Sequence, residues 1–429
     1  MTESTHPSAG GPHQDQARAA GSGSAILARQ VNLGKLLLLA AMVPASVVGI
    51  AQRASALGEP QASATVALAS ALGSLCAVIG ALGGGYAADL SSGGQRHRWS
   101  TVAACSAVGA IGIATMMTAG TATLLIAGWA LTQLGCSGGM AVLRALLAAA
   151  EPTQRRRGAS VMVLTSYLGA GLPLAVLYVW PGSVWSSSLA LVGLALALAV
   201  LIAGGKPATS GPAPAVPVAV AADPSPSRQA MRWPVLLAVQ FAANVVLSAY
   251  LSFHSLEVAH RIGGTWTDAV TQLSVLALAA AVAGLVLAAS VFWWRPGLLA
   301  QPAQLLVIGG IVLAGSVFAR PWVSSPVALL MVLMISGAAV GVNSVTLLTA
   351  TLATTTIRSS GRVLGAYSAA GAGGQFVGPL VAWWLVRLSP GGHDYGFVLW
   401  AVAVLPAVWA AGIAGMALRQ RRGGPQRLD

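Results

Sequence analysis

The sequence predicts an all-α membrane protein of twelve transmembrane helices arranged as two six-helix halves. Three observations point there. Uncharged apolar runs recur along the chain, each about 20 residues long, the length of a helix across a bilayer. Basic residues are sorted by side: of 23 Lys and Arg, all but Arg53, Arg261, Arg320 and Arg387 fall in segments that alternate onto one face of the membrane. That is the bias of cytoplasmic loops. A short pattern also repeats: Arg155-x-x-Gly158 precedes span five with Pro173 inside it, and Arg358-x-x-Gly361 precedes span eleven with Pro379 inside it.

Composition excludes several classes. With 56% hydrophobic and 8% charged residues, the chain departs from soluble domains, which carry roughly a quarter charged residues. The net charge of +13 follows from the one-sided arginines and implies no nucleic-acid partner. Cys76, Cys105 and Cys136 stand singly within spans, without disulfide or metal-ligand spacing. No metal site, cofactor or enzyme signature emerges. Gly204-Gly205-Lys206 lacks the strand and Ser/Thr context of a phosphate-binding loop.

Residues 1–30 are polar and read as a disordered cytoplasmic tail without a signal peptide. Residues 31–204 form the first half, with spans at 33–51, 64–85, 99–118, 124–150, 160–179 and 187–203. Span one enters after Arg29 and Lys35. Residues 205–232 form a proline-rich cytoplasmic linker, since 204–232 hold six prolines and few large apolar side chains. The second half, 233–418, places spans at 233–253, 270–292, 304–319, 326–350, 363–388 and 395–418. The tail 419–429 is basic. Both termini are therefore expected in the cytoplasm, with the chain in the inner membrane.

Between spans two and three runs Gly85-x-x-x-Asp89-x-x-x-Gly93-Gly94-Gln95-Arg96-His97-Arg98. Gly93 and Gly94 can take positive φ in so tight a reversal, and Arg96 and Arg98 resist translocation. The segment resembles the loop 2–3 signature of the major facilitator superfamily of secondary transporters. The resemblance covers nearly the whole chain apart from tails and linker. Leu90 stands where that family usually has a basic residue, and the second half keeps only a trace of the signature at Trp293-Trp294-Arg295-Pro296-Gly297. The resemblance implies a facilitator fold of twelve helices working by alternating access. It also implies an inner gate in which Asp89 locks the halves together, with Gly85, Gly93, Arg96, Arg98, Arg155, Arg156, Gly158, Arg358 and Gly361 around it.

Polar side chains inside spans are the candidates for a substrate path, because an unpaired amide or hydroxyl in lipid is costly. Gln240, Asn244 and Ser248 recur every fourth residue on span seven, and Tyr367, Gly371, Gln375 and Pro379 do so on span eleven. Trp129 and Gln133 on span four, Tyr167 on span five and Asn343 on span ten complete the substrate-binding set. Interhelical hydrogen bonding uses the same residue types, so both readings stay open. Drug/proton antiporters of the superfamily usually carry a span-four arginine, where this chain has Trp129 to Gly135 without one. Arg144, four turns further along, reads as a snorkelling residue, with contact to an anionic substrate as the alternative. No acid lies mid-span. The proton-coupling candidates are His254, Glu257 and Asp268, with Glu257 and His260 read as an exposed loop pair.

The expected function is secondary transport of a small organic molecule, with efflux of an uncharged drug-like compound or a secreted metabolite such as a siderophore, driven by protons. An uptake permease, or a non-transporting assembly or sensor protein, is the alternative. The expected partners are that substrate, the lipid bilayer and protons, and the chain is expected to be a monomer.

Overall fold

In the computed structural model the described residues are 12–57, 62–90, 94–148, 152–179, 184–204, 231–262, 268–355, 360–389 and 395–422. They form twelve long helices, numbered here as the spans are, and no strand. These are α1 (Pro12–Pro44), α2 (Ala62–Leu90), α3 (Gly94–Met117), α4 (Ala122–Leu147), α5 (Pro152–Val179) and α6 (Val184–Gly204) in the first half. The second half holds α7 (Trp233–Ile262), α8 (Asp268–Trp294), α9 (Pro302–Ala319), α10 (Pro326–Ala353), α11 (Ser360–Leu388) and α12 (Tyr395–Arg422). Eleven of them contain an apolar window long enough to cross a membrane, α5 being the exception among the described residues. Its first turns carry Arg155, Arg156 and Arg157.

Local chemistry sets the helix ends. Thr121 accepts a hydrogen bond from the Leu124 N–H and opens α4, and Ser325 does the same with Ala328 for α10. Gly94 takes φ +72° at the start of α3, as a reversal this short requires. Pro44 has no N–H to donate, and the chain passes through a π-turn, Ala45–Gly49, into a short continuing helix, Ile50–Ala56. Arg53 of that helix donates from Nε at 3.0 Å and Nη2 at 2.6 Å to the Ala119 carbonyl, closing the far end of the first half.

One expectation is corrected here. Residues 12–30 belong to α1 rather than to a disordered tail. Pro12 suits a first helical position, and residues 14–20, Gln-Asp-Gln-Ala-Arg-Ala-Ala, are mostly good helix formers. The segments 1–11, 205–230 and 423–429 lie outside the described residues.

Helix packing repeats with an offset of six. In the first half α2 packs on α4, α1 on α5 and α3 on both α4 and α6; in the second, α8 packs on α10, α7 on α11 and α9 on both α10 and α12. The halves meet through α2 on α11 and α5 on α8, which the same offset exchanges. The repeated Arg-x-x-Gly and proline positions therefore mark equivalent helices.

Small residues make the tightest of these contacts possible, as expected where lipid provides no hydrophobic drive between helices. Gly80 and Gly84 of α2 lie against the backbone of Leu134 and Gly138 of α4, so an added Cβ would strike main-chain atoms. The equivalent pair, Gly284 and Gly337, joins α8 to α10. Gly84→Leu should cost about 1–3 kcal/mol through overpacking, and with it a few degrees of thermal stability. Gly412→Leu, at a site with open space, should cost far less. Thermal unfolding in detergent compares the two, and equal transitions would remove this account of the contact.

Candidate functional site

The halves are pinned together at the end of the bundle that carries Arg96, Arg98 and Arg362. Asp89 occupies the last turn of α2, where its negative charge opposes that helix's own dipole. Its carboxylate instead faces the first turn of α11: Oδ1 accepts from the Gly361 N–H at 2.7 Å and Oδ2 from the Arg362 N–H at 2.8 Å. Those are two of the donors that a helix start leaves unpaired. The Arg362 guanidinium adds an ion pair at 3.6 Å and lies 5.8 Å from the Tyr86 ring. Gly85 and Gly361 sit backbone to backbone, and a Cβ on either would meet the other's carbonyl.

Other residues of the expected gate have partners within the first half. Arg96 donates to the Ala203 carbonyl at the end of α6 at 2.7 Å. Arg98 donates to the carbonyls of Ala88 at 3.2 Å and Ala145 at 3.1 Å, and it is within electrostatic reach of Asp89. Gly158 packs on Leu147. Gly93, Arg358 and the side chains of Arg155 and Arg156 lie outside the described residues. Arg362 was missed in the sequence because only the resemblance pointed at Asp89, and that pointed to loop 2–3 for its partners.

The α7 and α11 stripes face each other. Gln375 Nε2 donates to Asn244 Oδ1 at 3.4 Å, and Ser248 Oγ to the Gly374 carbonyl at 3.1 Å. Asn244 Nδ2 turns back to the Gln240 carbonyl at 2.9 Å, and Gly371 lies beside the Gln240 amide. Three residues point elsewhere than the centre. Trp129 is buried among Met116, Ile50 and Ala69, and both it and Gln133 lie against Gly73 of α2. Asn343 is buried against Gly309 of α9. Periodicity reveals which residues share a face, not which neighbour that face meets.

Two charged clusters were not visible in the sequence. Arg144 does not snorkel outward. It donates to Ser368 Oγ of α11 and lies 5.6 Å from the Tyr367 ring. Tyr167, within electrostatic reach of Arg144, has its hydroxyl 3.4 Å from Ser344 Oγ of α10. Lys35 is no flanking residue either. It is 4% exposed inside α1, and the charge acting on it is Arg144. Gly34 abuts Leu143, which puts Lys35 and Arg144 at one level of the bundle.

The second cluster lies toward the opposite end of the second half. Glu257 of α7, expected in an exposed loop pair, is buried and ion-paired with Arg320 in the turn after α9. Arg320 is fully buried, its Nη2 lies 2.6 Å from His254 Nδ1, and its guanidinium stacks 4.3 Å from the Tyr250 ring. A cavity of about 10 Å³ adjoins Tyr250 and Glu257, about the room one water needs. The Asp268 side chain lies outside the described residues. Among the described residues no cluster of His, Cys, Asp and Glu could hold a metal.

Comparison with known proteins agrees with this architecture. Many solved structures share the fold, and three serve as examples. The human organic anion transporter MFSD10 (TETRAN) is 16% identical with a TM-score of 0.63, covering 90% of this chain and 98% of that one. The proton:xylose symporter XylE bound to 6-bromo-6-deoxy-D-glucose is 16% identical with a TM-score of 0.65, covering 92% and 96%. FucP in the outward conformation is 13% identical with a TM-score of 0.63, covering 91% and 99%. No curated protein matched in sequence. The family model described as the Major Facilitator Superfamily matches residues 36–379, and with most of its length so matched the chain belongs to that superfamily of membrane transporters.

Proposed function

We propose that the chain is a proton-driven exporter of a small amphipathic organic compound, working by alternating access from the inner membrane with both termini in the cytoplasm. The observation that carries the reading is the Asp89 contact. A carboxylate on one half grips the helix start of the other, at the basic end that the charge bias assigns to the cytoplasm. Charge-assisted hydrogen bonds of this kind contribute about 1.5–3 kcal/mol, enough to hold that end shut yet small enough for a bound solute to release. The monomer suffices, since both halves of the pathway lie in one chain.

Coupling is assigned to Glu257. Its ion pair with Arg320 is buried, so protonation of the carboxyl would free a guanidinium already in contact with His254 and Tyr250. The adjoining cavity offers a place for one water to deliver the proton. The amides of Gln240, Asn244 and Gln375, where α7 meets α11, are assigned to the polar parts of the solute.

Proteoliposomes bearing an imposed proton gradient test the reading, with fluorescent amphiphiles as solutes. Uptake into inside-out vesicles that collapses with the gradient supports export. Transport in the opposite direction, or none with any gradient, overturns it. Asp89→Asn should lower turnover about tenfold, as charge-assisted bonding is lost, while membrane insertion stays intact. A wild-type rate would remove its gating role. Glu257→Gln should abolish gradient-driven accumulation and leave solute counterflow in place, and retained accumulation would move the coupling site elsewhere.

A further inference from the structure

We infer that Lys35 and Arg144 together form a binding site for the carboxylate of the compound the chain carries. The inference rests on the transporter reading above and replaces the expectation of an uncharged substrate. Lys35 is 4% exposed and makes no hydrogen bond or ion pair among the described residues. Its charged neighbour is Arg144, of the same sign. Arg144 spends one nitrogen on the Ser368 hydroxyl, and its buried Nε has no hydrogen-bond partner. Two buried cations near each other repel and lose hydration, a cost that a bound anion would offset.

The protein does not supply that anion from any acid whose side chain is described. Asp89 is committed to the start of α11, and Glu257 to Arg320. The side chains of the remaining acids, Asp15 in α1 and Asp268 at the start of α8 among them, lie outside the described residues. A guanidinium offers a planar fork and an ammonium a compact charge, so the pair suits two oxygens on one carbon. Around it stand Tyr167, Tyr367, Ser344 and Ser368 from α5, α10 and α11, hydroxyls and rings fit for the edge of an aromatic body. Buried Asn32 lies one turn before Lys35 with its Oδ1 unpaired. Helices from both halves thus converge on one anion, whose arrival would bridge α1 and α4 to α10 and α11.

Thermal unfolding of the purified chain in a neutral detergent tests this with benzoate and 2-naphthoate, against benzyl alcohol and 2-naphthalenemethanol at constant ionic strength. The carboxylates should raise the wild-type transition with concentration, as ligands of the native state do, and the alcohols should not. Lys35→Met should start at or above the wild-type transition, because it removes an unpaired buried charge, and its carboxylate response should fall at least fivefold. Lys35→Arg should keep the response. No carboxylate response in wild type, equal responses in Lys35→Met, or stabilisation by phosphate alone would overturn the site. Transport of a neutral amphiphile without any carboxylate response overturns the site and leaves the transporter reading standing. A Lys35-dependent carboxylate response in a chain that moves nothing overturns transport and leaves the site.

Discussion

A carboxylate at the wrong end of its own helix organises this molecule. Asp89 sits where the α2 dipole repels it, and it is satisfied only by the first N–H groups of α11, in the other half. Because the interaction crosses between halves, it reports their relation directly: present when the basic ends touch, lost when they part. Glycines at 85 and 361 make the approach close enough for those hydrogen bonds. The packing that surrounds it obeys the same exchange of halves, with α2 on α11 answered by α5 on α8.

The charges sort into three kinds by what they do for this contact. Arg96, Arg98 and Arg53 fasten carbonyls within the first half. The Glu257–Arg320 pair joins α7 to the turn after α9 near the far end of the second half. Lys35 and Arg144 lie buried near one another, and the buried Arg144 Nε has no hydrogen-bond partner.

The fold was legible because lipid leaves little choice. A backbone in hydrocarbon must satisfy itself, so each span announces itself as an uncharged run of helical length. The repeated Arg-x-x-Gly with its later proline then marked the two halves, whose helices pack with the same offset. The site was legible only in part. Asp89 and Gly361 were identified through the resemblance and do meet. Lys35 looked like a flanking lysine because the apolar run starts at Leu33, whereas α1 starts at Pro12 and carries Lys35 well inside the bundle. Glu257 and Arg320 lie too far apart in the chain for any local pattern to join them.

Arg144 illustrates the remaining difficulty. Long helical side chains lean back toward the N-terminus of their helix, and on α4 that direction leads from the basic end toward the bundle centre. A rule about which interface lies nearer would send the guanidinium outward to water. The stereochemistry of the helix sends it inward to Ser368 and Tyr367 instead. A cation placed that way, near Lys35, is costly to keep buried. The anion site inferred for the pair would account for two cations standing where an apolar pair would pack more stably.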